Sequence, residues 1–125
     1  MKTCPTKLQL NARLQLSGAH ALTLEAIFKV LANGTRLRIL HALIRANELC
    51  VGDLANEIKM SPQAVSNQLQ RLSDRGIVES RREGLQMLYR VMDPCVVELL
   101  DRGWCLAEDA NERVAERNVL QKDAS

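Results

Sequence analysis

Apolar residues recur at helical spacing through most of the chain, and turn signals divide the pattern into separate helices. Leu24, Ile27, Phe28 and Leu31 fall at positions i, i+3, i+4 and i+7, which is one face of an amphipathic helix. Asn33 follows, and its side chain can cap the next helix. That next helix has a wider apolar stripe, made of Leu37, Ile39, Leu40, Leu43 and Ile44. A stripe this wide predicts a central, largely buried helix.

The two ends of the chain have a weaker pattern than its middle. In residues 1–18 leucines alternate irregularly with polar residues, and Ser17-Gly18 is typical of a helix stop, so we expect a loose arm with a short, weak helix. Past about residue 107 the chain is mostly charged, so we expect little order there. The sequence thus predicts an arm at 1–18, one folded domain at 19–107 and a charged tail at 108–125.

Two short helices joined by a tight turn are predicted in the middle of the chain. The first covers about 50–58 and ends near Lys59. The second starts at Ser61-Pro62, where a hydroxyl cap precedes a proline at the first helical position, and it ends at Gly76. This arrangement is the signature of a helix-turn-helix.

After Gly76 the apolar period changes from helical to two. Residues 77–82 and 87–91 alternate on either side of a turn at Glu83-Gly84, which predicts a two-stranded hairpin. Asp93-Pro94 then caps a final helix. The predicted fold is therefore mainly α with a small β-hairpin wing, a winged helix-turn-helix.

Composition and charge narrow the class of function. The chain has 125 residues and only three aromatic side chains, which fits one domain with an aliphatic core. No apolar run approaches the roughly 20 residues of a membrane span, and no secretory signal is evident, so we expect a cytoplasmic protein without a membrane partner. Residues 59–90 carry six basic against three acidic side chains, whereas 91–125 carry four against eight. A basic middle beside an acidic tail is typical of polyanion binding.

The second helix of the pair has an unusually neutral outer face. No charged residue occurs from Ser61 to Gln70, although surface helices normally carry Lys and Glu. Asn, Gln and Ser can read base edges in the major groove, and arginines near a hairpin tip suit phosphate contacts. The predicted DNA-binding residues are Gln63, Ser66, Asn67, Gln68 (at the margin of the face), Gln70, Arg71, Arg81 and Arg82.

Four stretches, at 31–40, 48–55, 61–69 and 76–84, together resemble the ArsR/SmtB family of metal-responsive winged-helix repressors. The resemblance implies a homodimer joined by its first and last helices, an operator with a two-fold repeat, and repression relieved by an inducer. By position, Gln63, Ser66 and Asn67 fall where the family touches bases, and the hairpin at 81–84 falls on its wing. Asn67 stands where many members have histidine.

The four cysteines, Cys4, Cys50, Cys95 and Cys105, lie far apart in a chain without an export signal. We therefore expect free thiols or thiolate metal ligands rather than disulfides. The stretch at 48–55 resembles the metal box of the family's cadmium- and lead-sensing branch, but Gly52 stands where that branch has a second cysteine. In that branch the partner's arm supplies further cysteines, and this arm has only Cys4.

A site of Cys50 with Cys4 of the partner subunit would have two thiolates. Zinc and cadmium prefer four ligands, whereas mercury(II) is stable with two or three, so mercury(II) is the favoured inducer, followed by cadmium, lead or arsenite. Cys95 and Cys105 lie roughly 15 Å apart on one helix, so they could share an ion only across a dimer. A mixed site of Cys50 with Cys95 stays open.

Two other classes of function compete with a DNA-binding repressor. The sequence has no C-x-x-C pair, no phosphate-binding glycine loop and no nucleophile with an obvious His/Asp partner, so it does not predict an enzyme. The other rival keeps the DNA-binding fold but responds to thiol oxidation, or to no ligand at all.

Overall fold

The computed structural model describes residues 7–124. After a short 3₁₀ turn at Leu10–Ala12, this part of the chain forms five α-helices and three short strands. The helices are α1 (Gly18–Leu31), α2 (Gly34–Ala46), α3 (Val51–Ile58), α4 (Pro62–Asp74) and α5 (Pro94–Ala124). The strands are β1 (Leu49–Cys50), β2 (Val78–Glu83) and β3 (Gln86–Val91). The predicted winged helix-turn-helix fold is confirmed.

Local capping determines where the helices begin. The Asn33 side chain accepts a hydrogen bond from the backbone N–H of Arg36 at 3.0 Å, and Ser61 Oγ accepts from the N–H of Ala64 at 3.2 Å. Both caps satisfy N–H groups that have no partner inside the helix. The prediction at Ser17 was wrong. Ser17 Oγ accepts from the N–H of His20 at 3.1 Å, so this serine starts α1 rather than ending a helix in the arm.

The sheet contains a strand that the hydrophobic pattern did not predict. Its order is β1-β3-β2, and all neighbours are antiparallel. β2 and β3 form the predicted hairpin, whereas β1 is only two residues long and pairs Leu49 with Tyr89 and Cys50 with Leu88. Two residues are too few to show an alternating pattern, so this strand depends on its pairing with β3.

The core is aliphatic and lies between α2, α3, α4 and the start of the hairpin. Its fully buried side chains are Ile39, Leu40, Leu43, Leu54, Val65, Leu69, Leu72 and Val78. The last turn of α1 and the first turns of α5 pack against this core through Leu31, Val96 and Leu100. The buried positions of α4 recur at helical spacing, so its opposite face is left to solvent.

The two flanking helices expose much of their apolar surface. Phe28 on α1 is 48% exposed and Trp104 on α5 is 69% exposed. α5 runs for 31 residues, so it continues through the segment 108–124, for which the sequence predicted little order. After Leu100, the described side chains of this helix are exposed except for half-buried Ala107 and Ala110. No helix among the described residues is long and apolar enough to cross a membrane.

Candidate nucleic-acid interface

The outer face of α4 carries polar side chains directly opposite the core. Val65, Leu69 and Leu72 are completely buried, which turns the other side of the helix outward. The predicted DNA-binding residues Gln63, Ser66, Asn67, Gln70 and Arg71 are all exposed on this side. The structure therefore brings five of the eight predicted residues together on one helix face.

Two hydrogen bonds order the amides on this face. Gln63 Nε2 donates to Asn67 Oδ1 at 3.1 Å, and Gln70 Nε2 donates to Asp74 Oδ1 at 2.8 Å. Both pairs are four residues apart and exposed, so each can exchange its partner for a base edge. The face offers neutral donors and acceptors in the first three turns of the helix, which suits readout of base edges in the major groove.

Gln68 does not belong to this outer face. It is half-buried, and its Oε1 accepts a hydrogen bond from Arg36 Nε at 2.8 Å. The side chain is thereby held against α2. The helical period predicts Gln68 at the margin of this face, whereas the Arg36 side chain that holds it lies 32 residues away in sequence.

The two wing arginines differ in what they contact. Arg81 makes a bidentate ion pair with Glu48, with distances of 2.7 and 2.9 Å, and a further contact with Glu83 at 3.2 Å. The hydrogen bond from Arg81 lowers the pKa of Glu48, and the same bond raises the pKa of Arg81. Arg81 thus joins the wing to the residue before β1, and it is not an unpaired arginine for phosphate. This role was missed because Glu48 and Arg81 are distant in sequence.

Arg82 and Arg71 remain as exposed arginines beside the α4 face. In the described part of the chain, no hydrogen bond or ion pair involves either side chain. Arg82 lies opposite Met87 in the hairpin, close to the turn at Gly84. Two unpaired guanidinium groups flanking a neutral face are available for phosphate oxygens.

Cys50 lies where β1 ends and α3 begins. It is half-buried, its thiol is free, and it occupies the N-cap position of α3 without making a side-chain cap. Its backbone pairs with Leu88 of the wing. A group bound to this thiol would therefore contact the joint between the wing and the first helix of the helix-turn-helix.

Cys95 and Cys105 lie on α5. Cys105 is an exposed free thiol, 3.9 Å from Asp109 Oδ2. Cys95 is disulfide-bonded, so the expectation of thiols without disulfides is wrong at this position. The N–H of Cys95 donates to Asp93 Oδ1 at 2.8 Å, and Lys7 Nζ lies 3.8 Å from both the Cys95 sulfur and Asp93 Oδ2. Lys7 of the arm therefore lies against the start of α5.

Among residues 7–124, Cys50, Cys95 and Cys105 do not form a cluster of metal ligands. Because α5 is continuous, Cys95 and Cys105 are separated by roughly 15 Å along it. Cys50 pairs near the start of β3, whereas Cys95 follows the end of that strand. Within residues 7–124, no group of three or more His, Cys, Asp or Glu side chains could hold a metal ion. Cys4 lies outside the described residues.

Known proteins are similar to this chain in both sequence and architecture. Residues 33–80 match the family described as bacterial regulatory protein, arsR family. A cadmium resistance transcriptional regulatory protein, CadC, from Listeria innocua is 32% identical over 102 residues, which cover 81% of this chain and 86% of that protein.

Two solved structures are also similar. The AntR antimony-specific transcriptional repressor is 51% identical, with a TM-score of 0.73 over 88% of this chain and 99% of its own. The homodimeric winged helix-turn-helix DNA-binding domain Mb0332 from Mycobacterium bovis is 34% identical, with a TM-score of 0.68 over 78% of this chain and 93% of its own.

The fold, the polar face of α4 and the hairpin define a winged-helix transcription regulator rather than an enzyme. The chain belongs to the ArsR family of bacterial regulatory proteins. The family resemblance stated from the sequence is thereby confirmed.

Proposed function

We propose that this protein is a metal-responsive repressor, which binds operator DNA as a homodimer and releases it when a soft, thiophilic ion binds its cysteines. The observation that carries the proposal is the arrangement around α3. Cys50 lies at the start of this helix, which leads directly into the turn before α4 and its exposed polar face. The names of CadC and AntR, a cadmium resistance regulator and an antimony-specific repressor, support a soft inducer.

In this proposal the α4 face reads the operator sequence. Gln63, Ser66, Asn67 and Gln70 contact base edges, and Arg71 and Arg82 contact phosphates. Their exposure and the absence of charge on the helix from Ser61 to Gln70 support these roles. Arg81 instead supports the wing through Glu48, and Gln68 supports α4 through Arg36. These two residues act on DNA binding through the position of the elements that carry them.

The proposed dimer interface uses α1 and α5. Both helices leave large apolar side chains exposed, including Leu22 and Phe28 on α1 and Trp104 on α5. A second copy of the chain would bury these side chains, and the homodimeric state of Mb0332 supports this arrangement. Two copies of α4 could then meet half-sites about one DNA turn apart.

The proposed sensor is centred on Cys50. A half-buried thiol at the N-cap of α3 can couple an ion to the helix pair, since binding there restrains α3 relative to the wing. The described residues of one chain contain no three-ligand group, so the remaining ligands come from the partner subunit or from Cys4. Cys105 is a further candidate, and Cys95 becomes one only after its disulfide is reduced.

The identity of the ion follows from the number of thiolates. Two thiolates favour mercury(II), three suit trivalent arsenic or antimony, and four suit cadmium. The count of two from Cys50 and Cys4 supports mercury(II), whereas the similarity to AntR supports antimony(III). A binding assay with each ion separates these alternatives.

The test is operator release measured by fluorescence anisotropy. The reduced protein is bound to an operator found by in vitro selection, and mercury(II), antimony(III), arsenite, cadmium, lead or zinc is then added. We expect release by at least one thiophilic ion and not by zinc at the same concentration. A coupling of about 1–3 kcal/mol would lower DNA affinity roughly 5–150-fold.

The decisive variant is Cys50→Ser, because serine is nearly isosteric but a poor ligand for soft ions. We expect it to bind the operator normally and to lose at least about tenfold of its response to the ion. Cys105→Ser is compared with it, because Cys105 is the other free thiol among the described residues, and a defect confined to Cys50→Ser assigns the response to Cys50. A Cys50→Ser protein that responds at wild-type ion concentrations would contradict the role of Cys50.

The alternative of a thiol-redox regulator is favoured by one observation, the disulfide at Cys95 next to Lys7. Reduction of such a bond by a dithiol consumes two electrons and two protons and yields two thiols. If operator binding changes with reductant alone, without any metal, and Cys95→Ser abolishes the change, the redox function replaces the metal-dependent one.

A further inference from the structure

Arg36 lies at a junction of three helices and contacts each of them. It belongs to the first turn of α2, and its Nε donates to Gln68 Oε1 of α4 at 2.8 Å. One terminal nitrogen of the guanidinium donates to the carbonyl oxygen of Val30 in α1 at 3.0 Å. The side chain is half-buried, so both hydrogen bonds are partly shielded from water. One guanidinium therefore connects the end of α1 to the middle of α4.

The two acceptors, the Val30 carbonyl and the Gln68 side-chain oxygen, lie at positions where the Arg36 guanidinium has a structural effect. Val30 is in the last turn of α1, where carbonyl groups lack a partner within the helix and the helix dipole attracts a cation. Gln68 lies between buried Val65 and Leu69 on one side and exposed Asn67 on the other. A contact at Gln68 therefore restrains the rotation of α4 about its own axis, which determines where Asn67 points.

Arg38, two residues further along α2, provides a comparison. Its guanidinium donates to the carbonyl oxygen of Ile58, the last residue of α3, at 2.9 Å. It thus holds the end of α3 in the same way that Arg36 holds the end of α1. Among the described residues, however, no hydrogen bond or ion pair joins Arg38 to α1 or α4. The two arginines have the same chemistry but connect different helices.

We propose that Arg36 is a positioning residue that sets the orientation of α4 relative to α1, and thereby the spacing of DNA half-sites that the dimer accepts. The proposal rests on the proposed function, in which α1 forms part of the dimer interface and α4 reads DNA. A planar guanidinium holds its two acceptors in a defined geometry, unlike a flexible ammonium group. Because each subunit has its own Arg36, a change in this angle is repeated symmetrically at both half-sites.

The test measures spacing preference rather than affinity alone. Reduced protein without metal is titrated with three DNA duplexes that contain the selected half-sites at the selected spacing, one base pair closer and one base pair further apart. For the wild type we expect a loss of at least about tenfold at the altered spacings, since half-site separation is a geometric property of the dimer. For Gln68→Met, which cannot accept the hydrogen bond, we expect the three affinities to lie within about threefold of one another.

Two variants distinguish positioning from general stability. Gln68→Glu keeps an acceptor for Arg36 and is expected to retain the wild-type spacing preference. Arg38→Met is the matched control, and it is expected to lower affinity equally at all three spacings. An equal loss for Gln68→Met at every spacing, or an unchanged preference, would overturn the positioning role. A wild type that binds no paired half-sites would instead overturn the proposed function.

Discussion

The winged helix and the two flanking helices satisfy their apolar residues in different ways. Between α2 and β2, large aliphatic side chains such as Leu40, Leu54 and Leu69 are completely buried within one chain. On α1 and α5, Phe28 and Trp104 remain largely in contact with solvent. The first region has a complete core, whereas the second leaves its apolar face exposed within one chain. The comparison teaches that an apolar stripe shows which face will be buried, but not whether the same chain buries it.

The largest expected effect is in the complete core. Leu54→Ala removes a fully buried side chain between α3 and its neighbours, and the cavity should lower the free energy of unfolding by about 2–5 kcal/mol. Chemical denaturation followed by circular dichroism measures this change. A loss below about 1 kcal/mol would show that this core is not closed within one chain.

An intermediate effect is expected on the flanking helices. Phe28→Asp places a charge on the exposed apolar face of α1, and we expect the dimer dissociation constant to rise at least about 30-fold. Analytical ultracentrifugation measures the association, and circular dichroism checks that the helices remain. Lys29→Asp, on the neighbouring exposed position, is the control and should have little effect. Equal dissociation constants for wild type and Phe28→Asp would show that this face of α1 is not part of the dimer interface.

The smallest effect is expected where neither core nor interface is touched. Asn67→Ala should reduce discrimination between operator variants by about tenfold and leave folding unchanged, because its side chain is exposed on α4. Arg82→Ala should weaken binding to all DNA sequences alike. It should also lower the slope of log affinity against log salt by about the contribution of one phosphate contact. Competition assays with base substitutions at several salt concentrations measure both. Unaltered discrimination by Asn67→Ala would contradict the placement of the reading face.

Much of the fold could be predicted because its signals are local. Asn33 and Ser61 each cap a helix by accepting a hydrogen bond from the N–H three residues further along, so both partners lie within one short stretch of sequence. The face of α4 follows from the helical period of its buried residues. In contrast, Ser17 was assigned to the wrong helix end, because a serine followed by glycine suits both a cap and a stop. The helical course of 108–124 was also missed, since its charged composition hides a continuous helix.

The sequence by itself determined the winged helix-turn-helix and the exposed polar face of α4, and it supplied the cysteines that are proposed to hold a soft ion. Only the tertiary structure decided which side chains meet. Arg81 pairs with Glu48 across 33 residues, and Arg36 reaches Gln68 across 32, so two side chains predicted to contact DNA also hold the wing and α4 in place. The physical reason is that periodicity and capping act within a few residues. The partner of a long polar side chain depends instead on how distant elements pack together.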